Sequence, residues 1–119
     1  MSRLPVPFEV RKERSGRVHR LIATGELDVA TVAVLEREAV YHDDDATTIV
    51  VDLTELSFMD STGVGLLVRM NEACDDGDRL RIVNGSPAVG RVLDVTGVRR
   101  QLPIISSDDD RLAPVDRED

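Results

Sequence analysis

The run TTIVVDL, from Thr47 to Leu53, constrains the fold of this chain more than any other feature. It is rich in β-branched residues and apolar on both faces, which is typical of a central strand that is covered on both sides. Two earlier strand-like runs, residues 6–13 and 17–25, surround the turn signal Ser15-Gly16 and predict a hairpin. Later strand patterns, RLRIVNG and QLPII, alternate with helical ones. We therefore predict an α/β single domain, with a mixed β-sheet, an N-terminal hairpin and helices packed on the sheet.

Three helices are expected between these strands. Asp28 offers a side-chain acceptor to the first free amides of a helix that reads VATVAVLEREAVYH. A second helix is predicted from about Thr62 to Asp75. Ser86-Pro87 marks the start of a third, because a capping hydroxyl precedes a proline at the first helical position.

Length and charge limit the classes of function. The chain has 119 residues and a net charge of −8, and we expect one domain over residues 1–105 with an acidic, disordered tail over 106–119. An acidic surface without a basic patch repels phosphate backbones, so nucleic-acid binding is not expected. No apolar run approaches the ~20 residues of a membrane span, and the first residues lack a secretory signal. These features predict a soluble cytoplasmic protein that does not bind membranes.

The residues that could bind a metal are few. Cys74 is the single cysteine, so no internal disulfide or cysteine cluster is possible, and its position on an apolar helix face predicts a buried side chain. His42 with Asp43–Asp45 forms the densest group of potential ligands, but such charge runs are typical of solvated loops. We predict no metal site and no cofactor.

The stretch FMDSTGVG, Phe58 to Gly65, concentrates polar and small residues where a strand gives way to a helix. The simplest interpretation is structural. Ser61 or Asp60 would accept hydrogen bonds from the free amides near Gly63 and Val64, and Gly63 would allow close backbone approach.

The pattern of the second helix indicates something more than a cap. At 100° per residue its core stripe occupies an arc about 120° wide, and Val64 and Val68 fall outside that arc on the side expected to face water. Gly65 lies toward the same side, where it lowers helix stability without an evident packing role. An exposed apolar strip beside an exposed hydroxyl predicts a docking surface for a partner protein.

Three segments in order resemble one family. They are GELD (Gly25 to Asp28), VVDLTELSFMDSTGVG and LRIVNGSPAVGRVLDVTGV, the last of which contains Pro87 and Gly97. Together they resemble the STAS domain of the anti-sigma factor antagonist type, over about Val6 to Ile105.

The resemblance implies a phosphorylation switch. In such proteins a serine kinase, which is also the anti-sigma factor, phosphorylates the serine after the aspartate of the middle motif. The matching residue is Ser61, with Thr62 as a second acceptor, and the kinase would supply the ATP and Mg²⁺. The unphosphorylated protein would bind the kinase and free a sigma factor, and a phosphatase would reset the switch. The expected partner-binding residues are Asp28, Asp60, Ser61, Thr62, Gly63, Val64, Gly65 and Val68.

Three other classes of function compete with this one. An enzyme is disfavoured because Ser61 has no identifiable base and no glycine-rich phosphate loop is present. A phospho-aspartate receiver built on Asp52 is disfavoured because the one lysine, Lys12, lies at the wrong end of the chain; Asp52 is instead expected to bond the turn that follows its strand. A STAS module that binds without phosphorylation, in a stress-signalling or lipid-transport assembly, remains open.

Overall fold

The computed structural model describes residues 7–39, 48–74 and 79–106. The sequence group of His42 with Asp43–Asp45, and the predicted tail over 106–119 apart from Ser106, lie outside these ranges. None of the helices in the described ranges combines the length and the apolar character needed to cross a membrane.

The chain forms strands and helices close to the predicted places. The strands are Glu9–Ser15 (β1), Val18–Leu27 (β2), Thr48–Asp52 (β3), Leu56–Met59 (β4), Leu80–Val83 (β5) and Ile104–Ile105 (β6). The helices are Val32–Glu38 (α1), Ser61–Ala73 (α2) and Pro87–Val95 (α3). The predicted start of α3 is confirmed, since the Ser86 hydroxyl accepts from the Val89 amide at 3.4 Å.

The sheet is mixed, as predicted, in the order β1-β2-β3-β5-β6. β1 and β2 form the antiparallel hairpin, and the other pairings are parallel. β3 lies at the centre, and all five of its residues are buried, in agreement with the covered strand predicted from its composition.

The helices pack against one face of this sheet. The larger core joins alternate strand residues such as Leu21, Val51 and Ile82 with buried residues of all three helices. The opposite face carries a separate cluster that consists only of strand residues: Val18, Val50, Val83 and Ile105. This arrangement follows from topology, because the parallel strands succeed one another in one direction across the sheet and right-handed crossovers then lie on the same face.

The fourth strand was not predicted. Leu56 and Met59 are buried while the two residues between them are exposed, so β4 lacks the alternation that identifies a strand. It pairs in parallel with the last part of β2, beyond the reach of β3. The Asp60 turn therefore follows this short strand and not the central one.

Asp52 joins two strands and a turn. Its Oδ1 accepts from the Thr54 amide at 2.9 Å and from the Thr54 hydroxyl at 2.6 Å, which confirms the predicted bond to the following turn. Its Oδ2 accepts from Nε and Nη2 of Arg20 on β2, a partner that the sequence did not reveal. The Asp52 side chain is only 3% exposed, so it is not accessible in the way a receiver aspartate must be.

Candidate functional site

The candidate site lies where β2 and β4 end side by side. Leu27 and Met59 are partners in the parallel register, and the Asp60 amide donates to the Leu27 carbonyl at 3.2 Å. The next residues of the two strands are Asp28 and Asp60, so two carboxylates lie at the same edge of the sheet. The predicted proximity of Asp28 to the Asp60–Ser61 turn follows from this pairing.

Asp60 caps α2. Its backbone is extended, with φ −109° and ψ −170°, and its Oδ1 accepts from the Thr62 amide at 2.9 Å and also from the Thr62 hydroxyl. Its carbonyl accepts from the amides of Gly63 and Val64, at 3.0 and 3.3 Å. The bond from the Thr62 hydroxyl is the main reason why the pKa of the Asp60 carboxyl lies below its ordinary value.

Ser61 is the first residue of α2, and its side chain is exposed. Within the described ranges, no hydrogen bond joins its hydroxyl to another group. The sequence left open whether Ser61 or Asp60 makes the cap, and the structure assigns that role to Asp60. Helix capping therefore does not explain why a serine stands at position 61.

Gly63 brings α2 close to the sheet. A Cβ at this position would lie 2.5 Å from Cγ of Met59 and 3.0 Å from Cδ2 of Leu27. The close approach predicted for Gly63 is confirmed, and it holds the start of α2 against the ends of β2 and β4. Because Gly63 is buried, it supports the site from beneath and does not lie on a docking surface.

The prediction that Val64 faces water is wrong. Val64 is 5% exposed and belongs to the main core. The predicted arc allowed for one neighbour, the sheet, whereas α2 also packs against α1 and α3. Asn71, which lies on the same side as Val64, donates from Nδ2 to the Gln101 carbonyl after α3, at 3.2 Å.

Two other predicted residues remain partly at the surface, and one of them, Val68, also packs against the main core. Gly65 and Val68 are half-buried, and they follow Ser61 by four and seven residues, which places all three on one side of the helix. A Cβ at Gly65 would have a single neighbour within 4 Å, Nη1 of Arg69 at 3.8 Å. We call Ser61, Gly65 and Val68 the outer face of α2.

Asp28 does not cap the first helix as predicted. α1 begins at Val32, and Thr31 occupies its cap position, but its hydroxyl does not accept from the helix amides; it donates to the Glu26 carbonyl at 2.7 Å. The Asp28 carboxylate instead accepts from the Ala30 amide at 3.0 Å, which orders the turn between β2 and α1. The helix starts later than expected because this turn occupies residues 28–31.

Two exposed apolar side chains near the site were not predicted from the sequence. Val29 is 75% exposed beside Asp28, and Phe58 is 43% exposed two residues before Asp60. The sequence pattern places Val29 in the first helix, which in fact begins three residues later. The exposure of Phe58 cannot be recognised from the sequence unless β4, the strand that contains it, is also predicted.

The site has the chemistry of a modifiable protein surface. It combines an exposed hydroxyl, two carboxylates and exposed apolar groups. In the described part of the chain, no three histidine, cysteine or acidic side chains come close enough together to hold a metal ion.

Comparison with known proteins identifies the family. The family model described as "Mlab, STAS domain" matches residues 10–106. The chain belongs to the STAS family. Two curated relatives are the anti-sigma-B factor antagonists of Staphylococcus epidermidis and Staphylococcus aureus strain NCTC 8325. They are 43% and 42% identical to this STAS chain over 77 residues, which is 63% of the chain and 71% of each relative.

Solved structures agree with this family. An anti-sigma factor antagonist from Mycobacterium paratuberculosis superposes with a TM-score of 0.80 at 26% identity, covering 92% of this STAS chain and 96% of its own. Unphosphorylated SpoIIAA, an anti-sigma factor antagonist, superposes with a TM-score of 0.70 at 24% identity, covering 89% and 92%. The predicted fold and the predicted resemblance are confirmed. The prediction of a protein that is not an enzyme also agrees, because these relatives are antagonists of protein factors.

Proposed function

We propose that this STAS protein is an anti-sigma factor antagonist that acts by partner switching in the cytoplasm. The unphosphorylated form captures a serine-kinase anti-sigma factor and frees a sigma factor. The kinase, with its own ATP and Mg²⁺, phosphorylates Ser61 and is released, and a phosphatase restores the serine. The observation that carries this proposal is the exposed Ser61 hydroxyl, which has no part in the helix cap and lies beside two carboxylates.

The position of Ser61 suits a reversible phosphate. The positive end of the helix dipole at the start of α2 tolerates an added anion, so the fold is expected to survive the modification. SpoIIAA in its phosphorylated form still has the fold of this chain, with a TM-score of 0.64, which agrees with that expectation. A phosphate next to Asp28 and Asp60 would concentrate negative charge where a partner must dock.

The docking surface proposed here differs from the one predicted from sequence. Val64 is excluded because it is buried. The remaining candidates are the outer face of α2 and the exposed apolar residues Val29 and Phe58. Apolar groups of this kind around a modifiable hydroxyl fit a protein partner better than a small ligand, because the Val29 and Phe58 side chains are exposed and small ligands bind in enclosed pockets.

Gly65 provides a test of this surface. Replacing it with Ala is expected to stabilise the free protein by about 0.8–1 kcal/mol, because the added methyl removes the helix penalty of glycine and lies at an ordinary contact distance, 3.8 Å, from Nη1 of Arg69. Gly65→Lys is expected to weaken capture of the anti-sigma factor about tenfold, equivalent to about 1.4 kcal/mol, by obstructing the outer face. Thermal unfolding and titration calorimetry measure the two effects.

The matched control is Ala73→Lys, which adds the same side chain at an exposed position three turns from Ser61 on the same helix. It should leave capture unchanged. Equal affinity of the Gly65→Lys variant and the unmodified protein would show that the partner does not contact this face.

The function itself is tested by capture and reconstitution. The tagged, unphosphorylated protein is used to retain proteins from its own cells, and the retained protein is purified and mixed with ATP and Mg²⁺. The proposal predicts an anti-sigma factor with serine kinase activity that transfers phosphate to Ser61. Retention of partners that neither bind a sigma factor nor transfer phosphate would contradict it.

A plain binding module is the second candidate. The matching family model carries the description "Mlab, STAS domain", not that of an anti-sigma factor antagonist. Such a module, in a stress-signalling or lipid-transport assembly, would bind its partner in the same way before and after any treatment with kinase and ATP. The reconstitution experiment therefore separates the two candidates.

A further inference from the structure

The two neighbouring hydroxyls of the site are in different situations. Ser61 is exposed, and its oxygen has no hydrogen-bond partner in the described ranges. The Thr62 side chain is half-buried, and its hydroxyl donates to the same Asp60 oxygen that accepts the Thr62 amide at 2.9 Å. The Asp60 carboxylate therefore holds Thr62 by two contacts, one to its amide and one to its hydroxyl, whereas within the described ranges it makes no contact with the Ser61 hydroxyl.

We infer that Asp60 is a positioning residue that selects the phosphate acceptor, withholding Thr62 so that Ser61 alone is modified. The inference rests on the proposed function and specifies the regulation of the same site. In the transfer, the acceptor oxygen bonds to the γ-phosphorus of ATP, the bond from that phosphorus to the bridging oxygen breaks, and ADP leaves. The hydroxyl proton passes to a base of the kinase.

Thr62 is badly placed for this step. Its oxygen could reach a kinase only if it left Asp60, which would break the hydrogen bond that the hydroxyl donates to that carboxylate. A carboxylate with a lowered pKa is also a weak proton acceptor, so Asp60 holds the Thr62 hydroxyl without activating it. Ser61 can rotate freely into a kinase site, and no contact within the described chain is lost.

The first test needs no kinase. Double-mutant cycles in urea compare Asp60→Ala with Thr62→Val, and Asp60→Ala with Ser61→Ala. The side chains of Asp60 and Thr62 should be coupled by about fivefold to tenfold in the unfolding equilibrium constant, and those of Asp60 and Ser61 should not be coupled. Equal coupling of Asp60 to both hydroxyls, or to neither, would overturn the inference.

The second test maps phosphate on tagged variants produced in the protein's own cells. The Ser61→Ala variant should carry no phosphate on Thr62. In the double variant Ser61→Ala with Asp60→Gly, the Thr62 hydroxyl should be released and phosphorylated. Glycine at the cap position still permits the helix to start. Adding Asp60→Asn instead should restore the protection of Thr62, because its carbonyl oxygen still accepts.

The outcomes separate the inference from the proposed function. The selection is overturned, and the switch is left intact, if Thr62 of the Ser61→Ala variant is phosphorylated to the same extent as Ser61 of the chain without substitutions. The selection is also overturned if the double variant Ser61→Ala with Asp60→Gly carries no phosphate while the chain without substitutions is phosphorylated. A chain that is never phosphorylated at either residue refutes the proposed function, and the selection with it.

Discussion

A single phosphate on Ser61 is expected to weaken capture of the anti-sigma factor about a hundredfold or more, equivalent to about 2.7 kcal/mol. The phosphate adds a charge of about −1.5 to −2 beside the carboxylates of Asp28 and Asp60. Like charges brought together in an interface cost several kcal/mol, and the partner cannot dock without enclosing them. Titration calorimetry with phosphorylated and unphosphorylated protein measures the difference.

Two variants define the origin of this effect. Ser61→Ala should retain capture, because the serine hydroxyl is exposed and makes no hydrogen bond within the described ranges. Ala73→Glu adds negative charge at an exposed, distant position of α2 and should also bind normally. Loss of capture by Ser61→Ala would mean that the partner needs the serine hydroxyl itself for docking, and the division between docking and switching would be wrong.

The largest expected effect on stability comes from Asp52→Ala, which should lower the free energy of unfolding by about 3 kcal/mol. The change removes the acceptor of the Thr54 amide and hydroxyl and leaves the Arg20 guanidinium without its partner across the sheet. Because the Arg20 side chain is 33% exposed, water compensates part of the loss, which places the value at the lower end for buried pairs. Urea unfolding measures it.

The exposed pair of Arg11 with Glu55 is the matched control. Its atoms are 3.3 Å apart, but the side chains are 55% and 46% exposed. Arg11→Ala should therefore cost less than about 1 kcal/mol. If the Asp52 and Arg11 variants were equally stable, the Asp52 network would have no special structural role.

Asp52 also predicts an acid dependence. Burial alone would raise the pKa of its carboxyl, but the hydrogen bonds from Thr54 and the Arg20 guanidinium outweigh burial, so the pKa lies below its ordinary value. Because the pKa of this carboxyl is lower in the folded state, the ionised group stabilises the fold at any pH above its unfolded-state pKa of about 3.9. This stabilisation is lost as the pH falls through the folded-state pKa. Asp52→Asn should consequently lose less stability than the unmodified protein between neutral pH and about pH 3, as measured by urea unfolding at each pH. A steeper loss would contradict the assignment.

Much of the fold could be predicted because its signals are local. The composition of β3, the hairpin turn and the Ser86-Pro87 start each depend on a few adjacent residues. β4 was missed because its pairing with β2, and not its own alternation, makes it a strand. The same holds for Arg20 and Asp52, which meet only once the register of β2 and β3 is fixed.

The site was predicted in outline and corrected in detail. The Asp60–Ser61 turn was found because polar and small residues interrupt two apolar runs. The burial of Val64 was not predictable from one helix alone, since it depends on how α3 and its following segment pack beside α2. The exposed Val29 and Phe58 likewise become visible only when the ends of β2 and β4 are brought together.

The most direct test of the phosphorylation switch is the intact mass of the protein isolated from its own cells, followed by peptide mapping of the Asp60–Gly65 segment. We predict one added phosphate, located on Ser61 and absent from the Ser61→Ala variant. A protein that stays unmodified in every growth condition, and also after incubation with the captured anti-sigma factor and ATP, would contradict the switch.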